Sequence, residues 1–254
     1  MKYRFQHRPD PIMPHEGPLP REGEIEGLIG GKSGALRAAI FGVNDGLVSN
    51  LSLIMGVAGA GLHPDVVVLA GIAGLLAGAF SMAAGEYLSM RVQRELFERL
   101  IHLEAHELGS DPVGETRELA ELLAKRGIPD DLAKQVAERL MEDPSTALDV
   151  HAKEELGLDP DELGSPWGAA GSSFVMFAIG AAVPLLPYFF AEGFAAAWTS
   201  VGLALAALFG VGSTMTRFTG RPVLLSGGRM FLIGGGAALV TFWIGRLLGV
   251  TALS

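Results

Sequence analysis

FGVNDGLVSN, residues 41–50, lies inside the first long apolar segment of the chain, which runs from Ala35 to Gly61. A helix of about 27 residues is about 40 Å long and therefore crosses the hydrocarbon core of a bilayer, which is about 30 Å thick. The segment carries one carboxylate, that of Asp45, about 15 Å from one end of the helix. Charge is costly near the middle of a membrane and usually functional there, so Asp45 is the first candidate for a functional group. The alternative is an acid that caps a break in the helix or pairs with a neighbour.

The composition of the 254-residue chain is typical of a membrane protein, because 49% of its residues are hydrophobic and only 19% are charged. A net charge of −9 without a basic cluster disfavours nucleic acid as a partner. The chain has no cysteine, which excludes disulfides, thiolate metal sites and iron–sulfur clusters. We expect no cleavable signal peptide, since residues 1–34 are polar and rich in proline.

Four more apolar segments follow the first, so the predicted fold is an all-α integral membrane protein with five transmembrane helices. These segments cover Val66–Ser89, Trp167–Phe190, Phe194–Thr216 and Gly228–Val250. No breaker follows Val66 before Gly109, so we expect one helix of about 44 residues whose last third leaves the membrane. The GxxxG spacing of glycines predicts close helix packing at Gly42 and Gly46 and again at Gly74 and Gly78.

The polar residues between the second and third apolar segments form one region. Residues 91–165, here called the acidic region, hold 19 Asp and Glu against 9 Lys and Arg. Helix-start signals predict three short helices in it, beginning at Ser110 or Asp111 before Pro112, at Pro129–Asp130 and at Asp143–Pro144. On the second of these helices, an apolar stripe is predicted at Leu132, Val136 and Leu140.

The chain therefore divides into four parts. They are a polar N-terminal tail (1–34), transmembrane helices 1 and 2 (35–90), a helical metal-binding domain made by the acidic region (91–165), and transmembrane helices 3 to 5 (166–254). Within the tail, a short helix from Glu22 to Ile29 is expected to lie on the membrane surface.

Basic residues predict the orientation of the spans, because Lys and Arg concentrate in cytoplasmic loops. The turns at 62–65 and 191–193 and the tail after Val250 contain none. The opposite side holds Lys32, Arg37, Arg91, Arg94, Arg217, Arg221 and Arg229. We therefore expect a cytoplasmic N-terminus, a cytoplasmic acidic region and a C-terminus outside, with Arg246 as an exception that can snorkel.

Two residues of the second apolar segment are candidates to join Asp45. Met82 and Glu86 are four apart and so share a helix face in the predicted cytoplasmic half of the membrane. Carboxylates alone suit hard cations, whereas a thioether favours later transition metals. A carboxylate for which cation and proton compete also offers proton coupling. The predicted transport path is Asp45, Met82 and Glu86, and the alternative for Met82 is core filling.

The acidic region repeats carboxylates at helical spacing. Glu104 and Glu107 share one helix face, and Glu115 and Glu118 share a face of the next predicted helix. A short turn lets these two helices fold back, so that the pairs can meet, and the last helix adds His151 and Glu155. Inward carboxylates from several helices follow the logic of di-iron bundles. These six residues are the predicted metal ligands, and a solvated acidic face is the alternative.

A second set of side chains on the long helix lies on another face. His102 and His106 are at the chelating i, i+4 spacing, and with Glu95 and Glu98 they form a separate stripe. We interpret this stripe as solvent-facing or contact surface. No nucleophile triad, Walker loop or dinucleotide fingerprint is found, so the prediction is a secondary transporter without a prosthetic group rather than an enzyme.

Several of these motifs resemble the vacuolar iron transporter family. FGVNDGLVSN (41–50) and SMAAGEYLSM (81–90) are similar to the signatures of its first two helices. The glutamate pairs follow in the register of the family, and EELGLDP (154–160) resembles the end of its cytoplasmic domain. SGGRMFLIGGGAALVTFWIGRLLG (226–249) is similar to its last helix, so the resemblance covers nearly everything from about residue 34 onward.

The resemblance implies a homodimer of five-helix subunits with the ion path between them, exporting Fe²⁺ and similar divalent ions from the cytosol in exchange for protons. It also implies that Asp45 and Met82 form the mid-membrane pair and that the five glutamates of the predicted ligand set bind metal in the cytoplasmic domain. One departure is that His151 and Ala152 stand where well-known members have two Met, which makes the site less soft.

The sequence therefore predicts a proton-coupled exporter of Fe²⁺, with Mn²⁺, Co²⁺ or Zn²⁺ as other possible ions, in a bacterial-type member located in the cytoplasmic membrane. A membrane-anchored metal buffer or sensor is the main alternative. An intramembrane di-metal oxidase is a third hypothesis, which the family resemblance disfavours.

Overall fold

The computed structural model of the protein describes residues 33–160, 163–216 and 220–252, and these residues form helices without a strand. The elements are α1 (Ser33–Gly59), α2 (Pro64–Ser110), α3 (Pro112–Lys125), α4 (Asp130–Leu140), α5 (Pro144–Glu154), α6 (Pro166–Leu185), a 3₁₀ turn (Leu186–Phe189), α7 (Gly193–Thr214) and α8 (Val223–Ala252). The surface helix expected at Glu22–Ile29 lies outside the described residues.

Five of these helices are long and apolar enough to cross a membrane, which confirms an all-helical membrane protein with five spans. They are α1, α2, α6 with its 3₁₀ turn, α7 and α8. The last span begins five residues before the predicted Gly228, because Val223, Leu224 and Leu225 continue the helix directly after Pro222.

Helix α1, which carries the FGVNDGLVSN stretch, lies at the centre of the bundle and packs against α6, α8, α2 and α7. Glycine permits the closest of these contacts, as the GxxxG spacing predicted. A Cβ on Gly42 would lie only 2.7 Å from the Ser173 carbonyl oxygen, and one on Gly46 would overlap the Phe177 carbonyl. The backbones of α1 and α6 therefore touch directly, and this contact fixes the face that α1 turns towards α2.

Helix α2 is continuous over 47 residues, which confirms the predicted long helix. At about 1.5 Å per residue it measures about 70 Å, so about half of it extends beyond a hydrocarbon core of about 30 Å. It ends where Asp111 starts α3, and the Asp111 Oδ1 accepts a hydrogen bond of 2.9 Å from the Gly114 amide. This N-cap lets α3 begin within one residue of the end of α2.

The three short helices of the acidic region pack on each other, and α3 and α5 also pack on α2. Their starts are those predicted. The Asp143 side chain caps α5 and accepts hydrogen bonds from Ser145 and Thr146, which lower its pKa to about 2. The apolar stripe predicted on α4 is wrong at Leu132, which is 50% exposed, because α4 buries Ala133 and Ala137 instead. These small side chains let α4 approach the buried Leu119 of α3.

Candidate metal sites

A cavity of about 280 Å³ opens between α1, α2 and α6, and we call it the intramembrane cavity. Its lining consists of Asp45, Ser49, Asn50, Leu53, Gly74, Gly78, Ser81, Met82 and Phe177. Two of the three residues predicted for the transport path, Asp45 and Met82, are thus brought to one cavity within the apolar part of the bundle.

The Asp45 carboxylate is exposed on the surface of the single chain. Among the described residues, no cationic side chain pairs with it. Its helix position is regular, since the Ser49 hydroxyl donates to the Asp45 backbone carbonyl at 2.6 Å, one turn along α1. An acid that neither caps a break nor has an ion pair would be strongly disfavoured against lipid. Its environment therefore calls for a cation, a proton or a second protein surface.

Glu86, the third residue predicted for the path, does not line the cavity. It lies one turn beyond Met82 on α2, where its Oε2 is 3.9 Å from Nη2 of Arg37 on α1. That separation is too long for a hydrogen bond, and the same oxygen is buried with no hydrogen-bond partner in the described part of the chain. Arg37 is therefore a loosely held counter-charge, near the start of α1, to Glu86 in the middle of α2.

Asn50 lines the cavity as well, and the sequence analysis did not select it. Its side chain is buried within the bundle and hydrogen-bonds to α6. A signal for it was present, because an amide is unusual on a long apolar helix and Asn50 follows Asp45 by only five residues. Residues that carry no formal charge are easily missed when a membrane segment is searched for acids.

The acidic region contains a second candidate site. One ligand atom from each of Glu104, Glu115, His151 and Glu155 lies within 4.8 Å of the others, and we call this group the four-ligand cluster. Glu104 comes from the outer part of α2, Glu115 from the first turn of α3, His151 from the last turn of α5, and Glu155 from the residue that ends α5. Three helices thus converge on one point.

His151 lies at the centre of the four-ligand cluster. Its Nδ1 is 3.0 Å from Glu104 Oε1, 3.6 Å from Glu115 Oε2 and 3.8 Å from Glu155 Oε2. The imidazole is 0% exposed and the Glu104 side chain 3% exposed. Both imidazole nitrogens and Glu104 Oε1 lack hydrogen bonds among the described residues. Buried polar atoms without partners are costly, and one metal ion would satisfy Nδ1 and Glu104 Oε1 together.

The electrostatics of the cluster also favour a bound metal ion. Burial, followed by the charges of Glu155 and Glu115, raises the pKa of Glu104 to about 7, and burial also raises the pKa of Glu115. Burial lowers the pKa of His151, so the imidazole stays neutral and keeps a lone pair for a metal. Three carboxylates facing one neutral imidazole leave an excess of negative charge, which a divalent cation compensates.

Glu107 and Glu118 were also predicted as ligands, but they do not belong to the four-ligand cluster. Both are exposed. Their charges nevertheless contribute to the raised pKa of Glu104, after those of Glu155 and Glu115. They form a negatively charged rim beside the cluster. His102 and His106 are exposed on α2 and lie outside the cluster.

Comparison with known proteins agrees with the resemblance drawn from the motifs. Residues 36–246 match the VIT family, which covers both candidate sites. The chain belongs to the VIT family. This VIT-family protein is 33% identical over 212 residues to vacuolar iron transporter 2 of Oryza sativa subsp. japonica, a match that covers 83% of the chain and 86% of the relative.

Two other relatives give the same result. The vacuolar iron transporter of Acanthamoeba castellanii is 35% identical over 232 residues, covering 89% of the chain and 83% of the relative. Vacuolar iron transporter 1 of Tulipa gesneriana is 34% identical over 209 residues, covering 82% and 84%. These relatives come from plants and an amoeba, so the bacterial type and the bacterial membrane stay predictions.

Proposed function

We propose that this protein exports divalent metal ions, Fe²⁺ above all, from the cytosol in exchange for protons. Membership of the VIT family makes it a membrane transporter rather than an enzyme. The observation that carries the proposal is the intramembrane cavity, which is lined by Met82 and by Asp45, a carboxylate that has no ion-pair partner among the described residues. The names of the relatives, vacuolar iron transporters, support iron as the principal ion.

In this proposal the two candidate sites work in series. The acidic region lies in the cytosol, where the four-ligand cluster collects ions and the exposed Glu107 and Glu118 attract them. Ions then pass Glu86 and enter the intramembrane cavity. The Arg37 guanidinium neutralises Glu86 when no ion is present. Because the two groups are 3.9 Å apart and share no hydrogen bond, a cation can displace the guanidinium.

Proton exchange follows from the cost of charge in lipid. Once the cation leaves for the outer side, the Asp45 carboxylate is uncompensated, and binding a proton neutralises it. A proton and a cation therefore alternate on the same group, which is the requirement for antiport. Mn²⁺, Co²⁺ and Zn²⁺ would use the same ligands, because a mixed oxygen, nitrogen and sulfur set does not exclude them.

The proposed assembly is a homodimer. Asp45, Ser49 and Ser81 line the cavity and are exposed in the single chain, although they lie in apolar helices. A second copy placed against this face of α1 and α2 would shield these polar groups from lipid and complete the walls of the path. The proposed orientation keeps the N-terminus in the cytosol and the C-terminus outside.

A membrane-anchored buffer or sensor is the second candidate, and the burial of the four-ligand cluster favours it. In a buffer the cluster would hold the ion, and the intramembrane cavity would be irrelevant. Flux measurements separate the two functions, because a buffer binds metal without moving it.

The test uses purified protein in liposomes with an acidic lumen, with Fe²⁺ kept reduced outside. Only the protein molecules whose acidic region faces the outside of the liposome are counted. We expect Fe²⁺ to accumulate in the lumen, and we expect an ionophore that dissipates the pH gradient to abolish accumulation above equilibrium. Metal that binds the protein without entering the lumen would establish the buffer instead.

A further inference from the structure

Asn50 makes a contact that the transport mechanism described above does not use. The residue is 2% exposed, and its Nδ2 donates a hydrogen bond of 2.6 Å to the backbone carbonyl of Ala181 on α6. Its Oδ1 is buried and has no hydrogen-bond partner among the described residues. One half of the amide is therefore satisfied and fixed, and the other half is left without a donor.

The free oxygen lies against helix α2, at Gly74. A Cβ on Gly74 would be 2.9 Å from Asn50 Oδ1, and both residues line the intramembrane cavity. Because the Nδ2 bond to α6 determines which way the amide faces, Oδ1 is held against the bare backbone of Gly74. A larger residue at position 74 would be too close to this oxygen and would displace it.

A buried acceptor without a donor costs more free energy than a hydrogen bond of the Nδ2 kind usually returns. Simple helix packing would be served as well by an apolar residue. A carbonyl oxygen on a residue that lines the same cavity as a carboxylate and a thioether is, by contrast, a suitable third ligand for a divalent cation.

We propose that Asn50 is an ion ligand of the intramembrane cavity, supplying Oδ1 to the cation that Asp45 and Met82 hold. This inference rests on the proposed function for its role in transport, but metal binding can be measured separately. The amide adds a ligand without a second negative charge. It therefore strengthens binding moderately while keeping the site weak enough for the ion to leave, and it favours ions that accept oxygen ligands, such as Fe²⁺ and Mn²⁺.

The test measures Mn²⁺ binding to full-length protein in detergent by the loss of the electron paramagnetic resonance signal of free Mn²⁺. The protein carries E104Q, E115Q and E155Q, which disable the four-ligand cluster. In this background, Asn50→Leu removes both halves of the amide, Asn50→Asp keeps an oxygen but removes the donor to Ala181, and Asp45→Ala defines the signal of the cavity.

Ser200→Ala is the matched control. The Ser200 hydroxyl on α7 is fully buried and donates a hydrogen bond of 2.5 Å to the Pro184 carbonyl on α6, the helix that Asn50 also contacts. Ser200 does not line the cavity. This variant shows the effect of losing one buried hydrogen bond to α6 without touching the proposed ligand.

We expect the Mn²⁺ dissociation constant to rise about tenfold in Asn50→Leu, to stay unchanged in Ser200→Ala, and to equal or fall below that of the parent in Asn50→Asp. If Asn50 serves only to pack α1 on α6, Asn50→Asp will bind less tightly than Asn50→Leu, because a carboxylate is repelled by the Ala181 carbonyl. That order would overturn the inference. Equal binding by Asn50→Leu and Ser200→Ala, or no binding that depends on Asp45, would overturn it as well.

The same variants in liposomes separate this inference from the proposed function. With the cluster intact, we expect Asn50→Leu to raise the KM for Mn²⁺ uptake about tenfold and to change the order in which Mn²⁺ and Co²⁺ compete. Absence of uptake by the unmutated protein would refute the proposed function, while the binding titration would still decide the role of Asn50.

Discussion

In the proposed function, the intramembrane cavity and the four-ligand cluster bind the same kind of ion with different ligands. The cluster brings three carboxylates and an imidazole within 4.8 Å, in a buried position where Glu104 has its pKa raised to about 7. The cavity has one carboxylate, a thioether and an amide around about 280 Å³ of space. Dense, buried charge favours tight binding and slow release, whereas one charge among neutral ligands favours an ion that enters and leaves.

In the proposed function, the cluster captures ions and the cavity lets them pass. This division also explains why each needs its own surroundings. The cluster can carry excess negative charge because it lies outside the apolar spans. The exposed Glu107 and Glu118 lie beside it. A second carboxylate beside Asp45 would trap the ion in lipid, so the cavity is completed by neutral groups.

Removing the cavity carboxylate should have the largest effect and should separate the two sites. In Asp45→Ala we expect the rate of Fe²⁺ uptake to fall by at least about 100-fold, because no other charged group of the cavity can compensate the cation. Metal binding by the cluster should not change. Uptake into liposomes and calorimetric Mn²⁺ titration of the same preparation check both halves.

Asp65→Ala is the control for that variant. Asp65 lies in the turn before α2, with its side chain 91% exposed, so its removal should leave uptake and binding as they are. Uptake by Asp45→Ala at the unmutated rate would contradict the assignment of passage to the cavity.

Glu104→Gln, unlike Asp45→Ala, should weaken metal binding and leave the maximal rate of uptake unchanged. Replacing the most buried carboxylate of the cluster should weaken Mn²⁺ binding by the acidic region by about 10- to 100-fold, as losses at metal sites commonly do. We expect the KM for uptake to rise while the maximal rate is retained. Glu138→Gln on the exposed face of α4 is the control, and a loss of maximal rate without a change in KM would show that the cluster does more than capture ions.

The pH dependence of Mn²⁺ binding should test the cluster independently of the cavity. The folded, metal-free protein keeps a proton on Glu104 up to about pH 7, compared with an ordinary value of 4.5, and a metal ion must displace that proton. The affinity for Mn²⁺ should therefore rise by up to about tenfold per pH unit below pH 7 and level off above it. Calorimetry in buffers of different ionisation enthalpy counts the released proton, and an affinity that is flat between pH 5.5 and 7 would contradict the raised pKa.

The same shift has a consequence for stability with the opposite sign. Because the metal-free folded state holds this proton more tightly than the unfolded chain does, raising the pH from 4.5 to about 7 should lower the free energy of unfolding. A saturating metal ion should remove this dependence. Thermal unfolding in detergent, with and without Mn²⁺, measures both.

The smallest effect is expected from His151→Met. A thioether in place of the central imidazole makes the cluster softer, so the preference for Co²⁺ over Mn²⁺ should change by about threefold to tenfold, with little effect on maximal uptake. Competition between the two ions in the calorimetric titration measures this preference. An unchanged preference would mean that the carboxylates alone set the selectivity of the cluster.

Much of this architecture follows from the sequence, and the failures have identifiable causes. Apolar length and charge placement predict the five spans, and Asp45 and Met82 stand out because acid and sulfur are recognisable in an apolar helix. The choice of Glu104 over Glu107 depends on which carboxylate of an E-x-x-E pair faces His151, and only packing decides that.

Packing also explains why the prediction for Leu132 was wrong and why Asn50 was not selected. Leu132 is exposed because close helix approach in the acidic region selects Ala133 and Ala137, whose small size periodicity does not weigh. Asn50 is uncharged, and its importance lies in a bond to a backbone carbonyl 131 residues away. Contacts of this kind are determined by tertiary structure rather than by local pattern.

The most direct test of the central claim, that one side chain in the membrane carries cation and proton in turn, is to record both fluxes together. Liposomes with a pH-sensitive dye in an acidic lumen would report proton loss while Fe²⁺ enters, for the unmutated protein and for Asp45→Asn. The account predicts proton efflux that starts with Fe²⁺ entry in the unmutated protein, and neither flux in Asp45→Asn. Fe²⁺ entry without proton efflux, or coupled fluxes that persist in Asp45→Asn, would contradict it.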